Sequence, residues 1–432
     1  MSVLASMPLE GGAPVAGGAI VADARTVDKP ATVAFTSDNE SFFGLLARGA
    51  FFELVTFGFY RFWLATAIRR HLWSATRLGG EALEYSGEGR ELLIGFLIAL
   101  AVLGPVFLLN FLVGLYAESL KAFLSLPLAL FYYAFSQFAL YRARRYRLTR
   151  TIWRGVRFWM TGSGWSYALR AFLWSMFTTV TLGLAYPWRA AALERYKLRN
   201  TYYGDLQGAF VERGSALFKQ IWWFWVVAVL PFLALAGAFA ALVVRELQAG
   251  HTELEGLGQS WIGPAFVLWA VVALLCLPVL RAAEWRWWAS GIRFGGLALS
   301  SRLHRGALIV LYVQTVGAAI GIAVVMTIIL TLVGLGIAAA TGFPVFQLRL
   351  AAPETLARYG YIVFAISMVY YLLIALAVLT VQRFYMQHEF WRKITGSLTV
   401  SGLAAAATVA ARGAAANALG EGLADGLDVA GF

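Results

Sequence analysis

The sequence predicts an all-α polytopic membrane protein, built from repeated modules of membrane helix and basic helix with short cytoplasmic β-turn elements. Three observations carry this. First, 60% of the 432 residues are hydrophobic and only 13% are charged, with a mean hydropathy of +0.70. Soluble domains carry about 25% charged residues, so this chain lacks the polar surface to cover a water-facing globule. Second, apolar runs near the roughly 20 residues that span a bilayer recur along it. Third, the runs hand over repeatedly to segments rich in Arg, Trp and Tyr, the residues that favour membrane interfaces.

Residues 1–34 are rich in Ala and Gly and lack the basic start and compact apolar core of a signal peptide. They read as a flexible tail. Eight apolar runs follow, near 42–60, 92–116, 120–141, 165–188, 217–244, 261–280, 306–341 and 359–382. Six are cleanly apolar or nearly so. The run at 306–341 is long enough to tilt or to project beyond the bilayer. The runs at 42–60 and 165–188 are interrupted and carry charge: Arg48 and Glu53 in the first, Arg170 in the second. The Ala/Gly-rich stretch 398–432 reads as a second tail.

Charge sets the orientation. Segments 61–91, 142–157, 189–219, 281–305 and 383–393 hold 26 Lys and Arg, whereas 117–121, 245–260 and 342–358 hold four. Lys and Arg mark cytoplasmic loops, so the basic segments and both termini are expected inside. Eight crossings would place two basic segments on the wrong side. The conflict disappears if 42–60 and 165–188 dip in and return, or lie along the interface, with helix breaks at Gly58, Gly183 and Pro187. The alternative is a pair of kinked spans in a protein with poor charge bias.

A repeat is visible. In "VTFGFYRFWLATAIRRHLWSATRLGG" and "VTLGLAYPWRAAALERYKLRNTYYGD", Gly58 precedes Thr76 by 18 positions and Gly183 precedes Thr201 by 18. Gly79 and Gly204 each follow their Thr by three. "LPVLRAAEWRWWASGIRFGG" keeps the 17-residue spacing from Pro278 to Gly295 that separates Pro187 from Gly204. Segments 379–397 and 140–158 echo the pattern more loosely. The alternating stretches after each basic helix, such as "ALEYSG" and "RFWMTGSG", read as short strands or hairpins.

Catalytic signatures are missing. "HEFWR" at 388–392 begins like a zinc-protease helix but has Arg392 where a second His would sit. There is no GxSxG, no P-loop, and one cysteine, Cys276, without a neighbouring base. No enzyme activity, metal or cofactor is expected. Intramembrane polar residues are functional candidates by default: Arg48, Glu53, Asn110, Gln137, Arg170 and Gln314. For the uncharged ones, interhelical hydrogen bonding is a plainer reading than a transport path. Gly317 and Gly321 form a GxxxG that permits close helix approach, within the chain or in a homo-oligomer.

The basic extensions are the strongest functional feature. "YRARRYRLTRTIWRGVR" has seven Arg and no acid across 142–157. Arg pairs with phosphate through two parallel hydrogen bonds, so Arg142, Arg144, Arg145, Arg147, Arg195, Lys197 and Arg199 are candidates for anionic lipid headgroups. Topological anchoring alone is the plainer reading. Nucleic acid is not expected as a partner.

"GSGWSYALRAFLWSMFTTVTLGLAYPWRAAALERYKLRNTYYGD", "YRARRYRLTRTIWRGVRFWMTGSGW" and "GEGLADGLDV" resemble the YjgN-like bacterial inner-membrane proteins, a family without known activity. The likeness covers most of residues 35–432; the first unit lacks the Pro of "AYPW". The resemblance implies an inner-membrane location and supplies no catalytic residues.

The expected organisation is therefore a tail over 1–34, a first membrane repeat over 35–155, a second over 156–305, a third, partial one over 306–397, and a tail over 398–432. The expected role is non-enzymatic: transport or binding of a lipid or small solute, or a scaffold whose Arg-rich face holds anionic lipid or a protein partner.

Overall fold

The computed structural model describes residues 30–116, 118–248, 261–341 and 353–413. Their elements follow one order. A strand leads into a helix, the chain turns back into a second helix, and another strand follows. This order occurs five times among the described residues. The first unit holds β1 (Ala31–Thr32), β2 (Ala34–Phe35), α1 (Asn39–Val55), α2 (Arg61–Ala75) and β3 (Thr76–Leu78). The second holds β4 (Glu81–Ala82), β5 (Glu84–Tyr85), α3 (Gly89–Tyr116), α4 (Glu118–Thr149) and β6 (Thr151–Trp153). The third holds β7 (Val156–Met160), α5 (Gly164–Val180), α6 (Tyr186–Arg199) and β8 (Thr201–Tyr203). The fourth holds β9 (Leu206–Phe210), α7 (Gly214–Gln248), α8 (Ile262–Gly291) and β10 (Ile292–Phe294). The fifth holds β11 (Leu297–Ser301), α9 (Arg305–Thr341), α10 (Pro353–Arg383), a π-helical turn (Phe384–Glu389), α11 (Phe390–Gly396) and β12 (Leu398–Ser401).

Two-residue turns join successive units. Gly79 and Gly80 have φ of 60° and 87°, and Arg154 and Gly155 have 52° and 72°, the left-handed pair that matches the twist of a tight hairpin. The hairpins then join edge to edge. Antiparallel pairing runs from β1 through β12, β11, β10, β9, β8, β7 and β6 to β5. The segment carrying β5 switches partner at Leu83, and β4 pairs with β3, which pairs with β2. The segment carrying β2 switches at Val33 back to β1 and β12. The chain itself joins the nine-stranded and three-stranded sheets into a circuit at Leu83 and Val33, while β1, β2, β4 and β5 each pair on one side only.

The helices close in the same order. The second helix of each unit packs on the first helix of the next: α2 on α3, α4 on α5, α6 on α7, α8 on α9, and the long helix Pro353–Arg383 back on α1. The main core lies inside the strand circuit. It buries Trp153, Tyr203, Phe210, Leu217, Trp287, Phe294 and Val400, and each such large side chain contributes about 1.5–3 kcal/mol.

Among the described residues, six helices are long and apolar enough to cross a membrane: Gly89–Tyr116, Leu124–Thr149, Gly214–Gln248, Ile262–Gly291, Arg305–Ala340 and Phe364–Gly396. The helix Gly214–Gln248 has 35 residues. A span uses roughly 20, which leaves a lower portion about as long as the 15-residue α2 and the 14-residue α6. Units one and three thus keep the lower level and omit most of the upper one.

Their turns explain why. Gly58 N donates to Glu53 O at 2.7 Å and Phe57 N to Leu54 O at 3.3 Å. Gly183 N donates to Thr178 O at 2.7 Å and Leu182 N to Thr179 O at 3.0 Å. Both are Schellman ends, with φ of 86° at Gly58 and 89° at Gly183. The hydroxyls of Thr56 and Thr181 then accept the N–H groups of Tyr60 and Ala185, at 2.9 and 3.2 Å, and the next helix begins. Asp38 and Ser163 cap α1 and α5 from the other end. Pro187 stands in the first turn of α6, where its missing N–H costs nothing. It starts a helix; the break itself is at Thr181–Ala185.

One expectation is corrected. The fold is not all-α, because the short β elements join into a nine-stranded and a three-stranded sheet; local alternation could not reveal partners from distant modules. The expected tails contribute structure: Ala31–Thr32 pairs with Thr399–Val400, and residues 403–413 lie across the hairpins. The remainder of those tails, 1–29 and 414–432, and the connectors 249–260 and 342–352 lie outside the described residues. Of the expected boundaries, 155 falls in the turn Arg154–Gly155, 305 on the first residue of α9, and 397 between α11 and β12.

Candidate functional site

A cavity of about 1330 Å³ lies inside the ring of basic helices, above the strand circuit. All five units build it, each with the same helix face. Counting back seven residues from the strand that follows the basic helix gives Arg69, Arg144, Glu194, Trp285 and Trp391. Counting back eleven gives Ala65, Leu140, Ala190, Arg281 and Gln387. All ten line the cavity. The interval between rows is one helical turn, which keeps both on one face.

The wall holds seven cationic side chains (Arg61, Arg69, Arg144, Arg147, Lys197, Arg281 and Arg383) against three carboxylates, Glu53, Glu194 and Glu284. Each carboxylate is held. Glu53 accepts two hydrogen bonds from Arg383, at 2.6 and 2.9 Å. Glu284 accepts from Arg281 at 2.9 Å and from the Tyr186 hydroxyl. Glu194 pairs with Lys197, lies 3.8 Å from Arg144, and accepts from Trp288 Nε1 at 3.1 Å. Burial pushes the Glu194 carboxyl up; the Lys197 and Arg144 charges and the hydrogen bonds outweigh it and hold it below the ordinary carboxylate value. The three carboxylates of the wall are thus held by its own cations, and cationic side chains outnumber carboxylates among its lining residues by seven to three. Two buried wall atoms, Trp285 Nε1 and Gln387 Oε1, have no hydrogen-bond partner in the protein.

Most of the rest of the wall is apolar. Leu78, Leu83 and Phe158 form the floor at the strands, and Leu54, Phe57, Leu372, Leu376 and Leu379 line the opposite end. A cavity that combines an apolar shell with a few convergent charged groups is the usual form of a ligand site.

Of the headgroup candidates, Arg144, Arg147 and Lys197 line the cavity. Arg142, Arg145, Arg195 and Arg199 do not; Arg195 and Arg199 are exposed, and Arg195 bonds Glu212 O at 3.1 Å. The Arg run of α4 is therefore split between two helix faces. Among the intramembrane polar candidates only Glu53 reaches the wall. Arg48 is exposed in α1 and lines a smaller groove of about 470 Å³. The Arg170 guanidinium stacks 4.2 Å from the Tyr196 ring centre. Asn110 and Gln137 are half-buried in their helices, and Gln314 is exposed. A Cβ added at Gly317 or Gly321 would meet nothing within 4 Å, so neither makes a close approach within the chain. Gly58 lines the cavity and Gly183 does not.

Sequence reasoning missed Arg61, Arg69, Arg281, Glu284 and Arg383. The signal was available in the rows described above: register each basic helix on the strand that follows it, then compare equal positions. Among the described residues, no group of three or more His, Cys, Asp or Glu is placed to hold a metal.

Neither curated proteins nor solved structures give a match to the chain. The family model described as "bacterial protein of unknown function (DUF898)" matches residues 30–426, nearly the whole of what the five units occupy. The chain thus belongs to this bacterial family of unknown function, the YjgN-like proteins.

Proposed function

We propose that this is a non-enzymatic protein of the bacterial inner membrane that binds, and moves or retains, an anionic lipid or small solute in the central cavity. The observation that carries the reading is the convergence of seven cationic side chains on a largely apolar wall to which every unit contributes. Guanidinium groups in such a setting can hold a phosphate or carboxylate through paired, charge-assisted hydrogen bonds. The five units are read as copies of one module, since the wall positions recur in all of them. The bias of 26 basic residues to four supports a cytoplasmic strand circuit, with the three long hairpins crossing the bilayer from it.

The test is native mass spectrometry of protein purified in mild detergent. Wild type should carry an anionic adduct. The Arg144→Gln/Arg147→Gln variant should lose it while melting normally, and Arg195→Gln/Arg199→Gln should keep it. One specific observation favours a second reading: Arg195 and Arg199 are exposed outside the cavity, as a scaffold with a headgroup-binding surface requires. The reverse pattern of losses would support the scaffold.

A further inference from the structure

The two ends of the cavity differ, and the difference identifies where the ligand comes from. At the strand end, residues 402–413 run across the hairpins. Leu403 lies against Gly79, and Ala405 lies against Gly296. Val409 and Ala410 lie over Gly204, and Ala410 N donates to Asp205 at 3.2 Å. Ala406 is buried in the core within the circuit. Below the cavity, the floor leucines and Phe158 are thus backed by a second layer of chain.

The other end is lined by apolar side chains. Leu372, Leu376 and Leu379 of α10 line it. Leu372 precedes Arg383 by eleven residues, which is ~16 Å of helix rise from the level of the Glu53–Arg383 pair towards the centre of the bilayer. On the other side is the α1–α2 turn, where Phe57 lines the cavity and is 90% exposed. Unit one ends at that turn. Its neighbours, α10 and α3, continue past it, so the space between them above Phe57 holds no helix of this unit. Unit three has the same short form, but Trp225 of α7 lies against its turn, donating to Leu182 O at 2.7 Å, and the turn contributes nothing to the wall.

We propose that the cavity is loaded from the bilayer through this gap, and that its ligand is an anionic membrane lipid. This rests on the anion-binding reading above. The headgroup sits among Arg144, Lys197 and Arg281. The acyl chains leave between Phe57 and Leu372–Leu379 into the membrane. The volume, about 1330 Å³, exceeds the ~300–1,000 Å³ typical of sites for small solutes, which leaves room for the upper part of the chains as well as the headgroup.

The experiment compares dioleoyl phosphatidylglycerol with glycerol phosphate, the same headgroup chemistry without chains, on full-length detergent-solubilised protein. The lipid should bind at least about tenfold more tightly. Overpacking the opening with Leu376→Trp should weaken lipid binding by about tenfold. Equal binding of both ligands would overturn bilayer loading and leave an anion site for a water-soluble ligand. Unchanged lipid binding to a folded Leu376→Trp would also overturn it. Binding of neither ligand would remove the cavity reading as well. If Leu376→Trp does not fold, a phosphatidylglycerol with a photoreactive acyl chain decides. Crosslinks to Phe57 and Leu372–Leu379 support the route, and crosslinks only elsewhere overturn it.

Discussion

Arg383 donates two hydrogen bonds to Glu53, at 2.6 and 2.9 Å, between residues 330 positions apart. The pair ties the last long helix to the first short one, at the seam where the two ends of the chain meet. The Glu53 side chain is 6% exposed. Removing one partner of such a pair costs about 3–5 kcal/mol, because the other charge is left buried, whereas replacing both with apolar groups is often neutral. Arg383→Met alone should destabilise the protein by that amount in thermal unfolding. Glu53→Leu/Arg383→Met should recover most of the loss. Additive losses would show that the two residues act separately.

The same seam carries a histidine latch. Ser37 Oγ lies 2.7 Å from His71 Nε2 and 2.8 Å from His388 Nε2, and His388 Nδ1 lies 3.3 Å from Glu389. One arrangement of protons satisfies all three contacts with neutral rings. His388 Nδ1–H donates to Glu389, the Ser37 hydroxyl donates to His388 Nε2, and His71 Nε2–H donates to Ser37. Burial lowers the His71 value, against the opposing charge of Asp38. The neutral form is therefore the stable one when folded. Its contribution is complete above the ordinary histidine value of about 6.5 and declines as pH falls below it. Melting temperature should drop as pH falls below about 6.5, and His71→Phe should flatten that drop. An identical pH profile in the variant would contradict the latch.

Gly58 and Gly44 separate backbone conformation from space. A Cβ at either position meets nothing within 4 Å, but Gly58 has φ of 86° whereas Gly44 lies within α1. Gly58→Ala should destabilise by about 1–2 kcal/mol through the left-handed backbone. Gly44→Ala should be neutral or stabilising by up to about 1 kcal/mol. Gly183→Ala should behave like Gly58→Ala, since the two turns share their hydrogen bonds. Equal melting temperatures for the Gly44 and Gly58 variants would show that the turn is not under this constraint.

Much of this architecture was legible locally. The spacing from Gly58 to Thr76 and from Gly183 to Thr201 encodes the turn, the basic helix and the first strand residue of two units. Thr76 and Thr201 each bond back to the helix, at 2.7 and 2.8 Å, and begin a strand. What was not legible is long-range. Ala31–Thr32 is a two-residue strand, too short to show alternation, and its partner lies near the other end of the chain. The cavity was hidden for a related reason. A run such as Arg142–Arg147 fixes charge density, but only packing decides that Arg144 and Arg147 face inwards. Arg281 and Glu284 escaped notice because their carboxylate and guanidinium look like an ordinary helix-surface pair, one turn apart.

The central claim is that every unit returns to one side of the membrane, where the strand circuit lies. Single cysteines in a Cys276→Ala background test it most directly, at Asp205, Phe57, Leu182, Glu253 and Thr355, labelled from outside the cell with an impermeant thiol reagent. The account predicts labelling at 253 and 355 and none at 57, 182 or 205. Labelling at 57 or 182 would mean that a short helix pair reaches the far face, and labelling at 205 would place the strand circuit outside. Either result would contradict the claim.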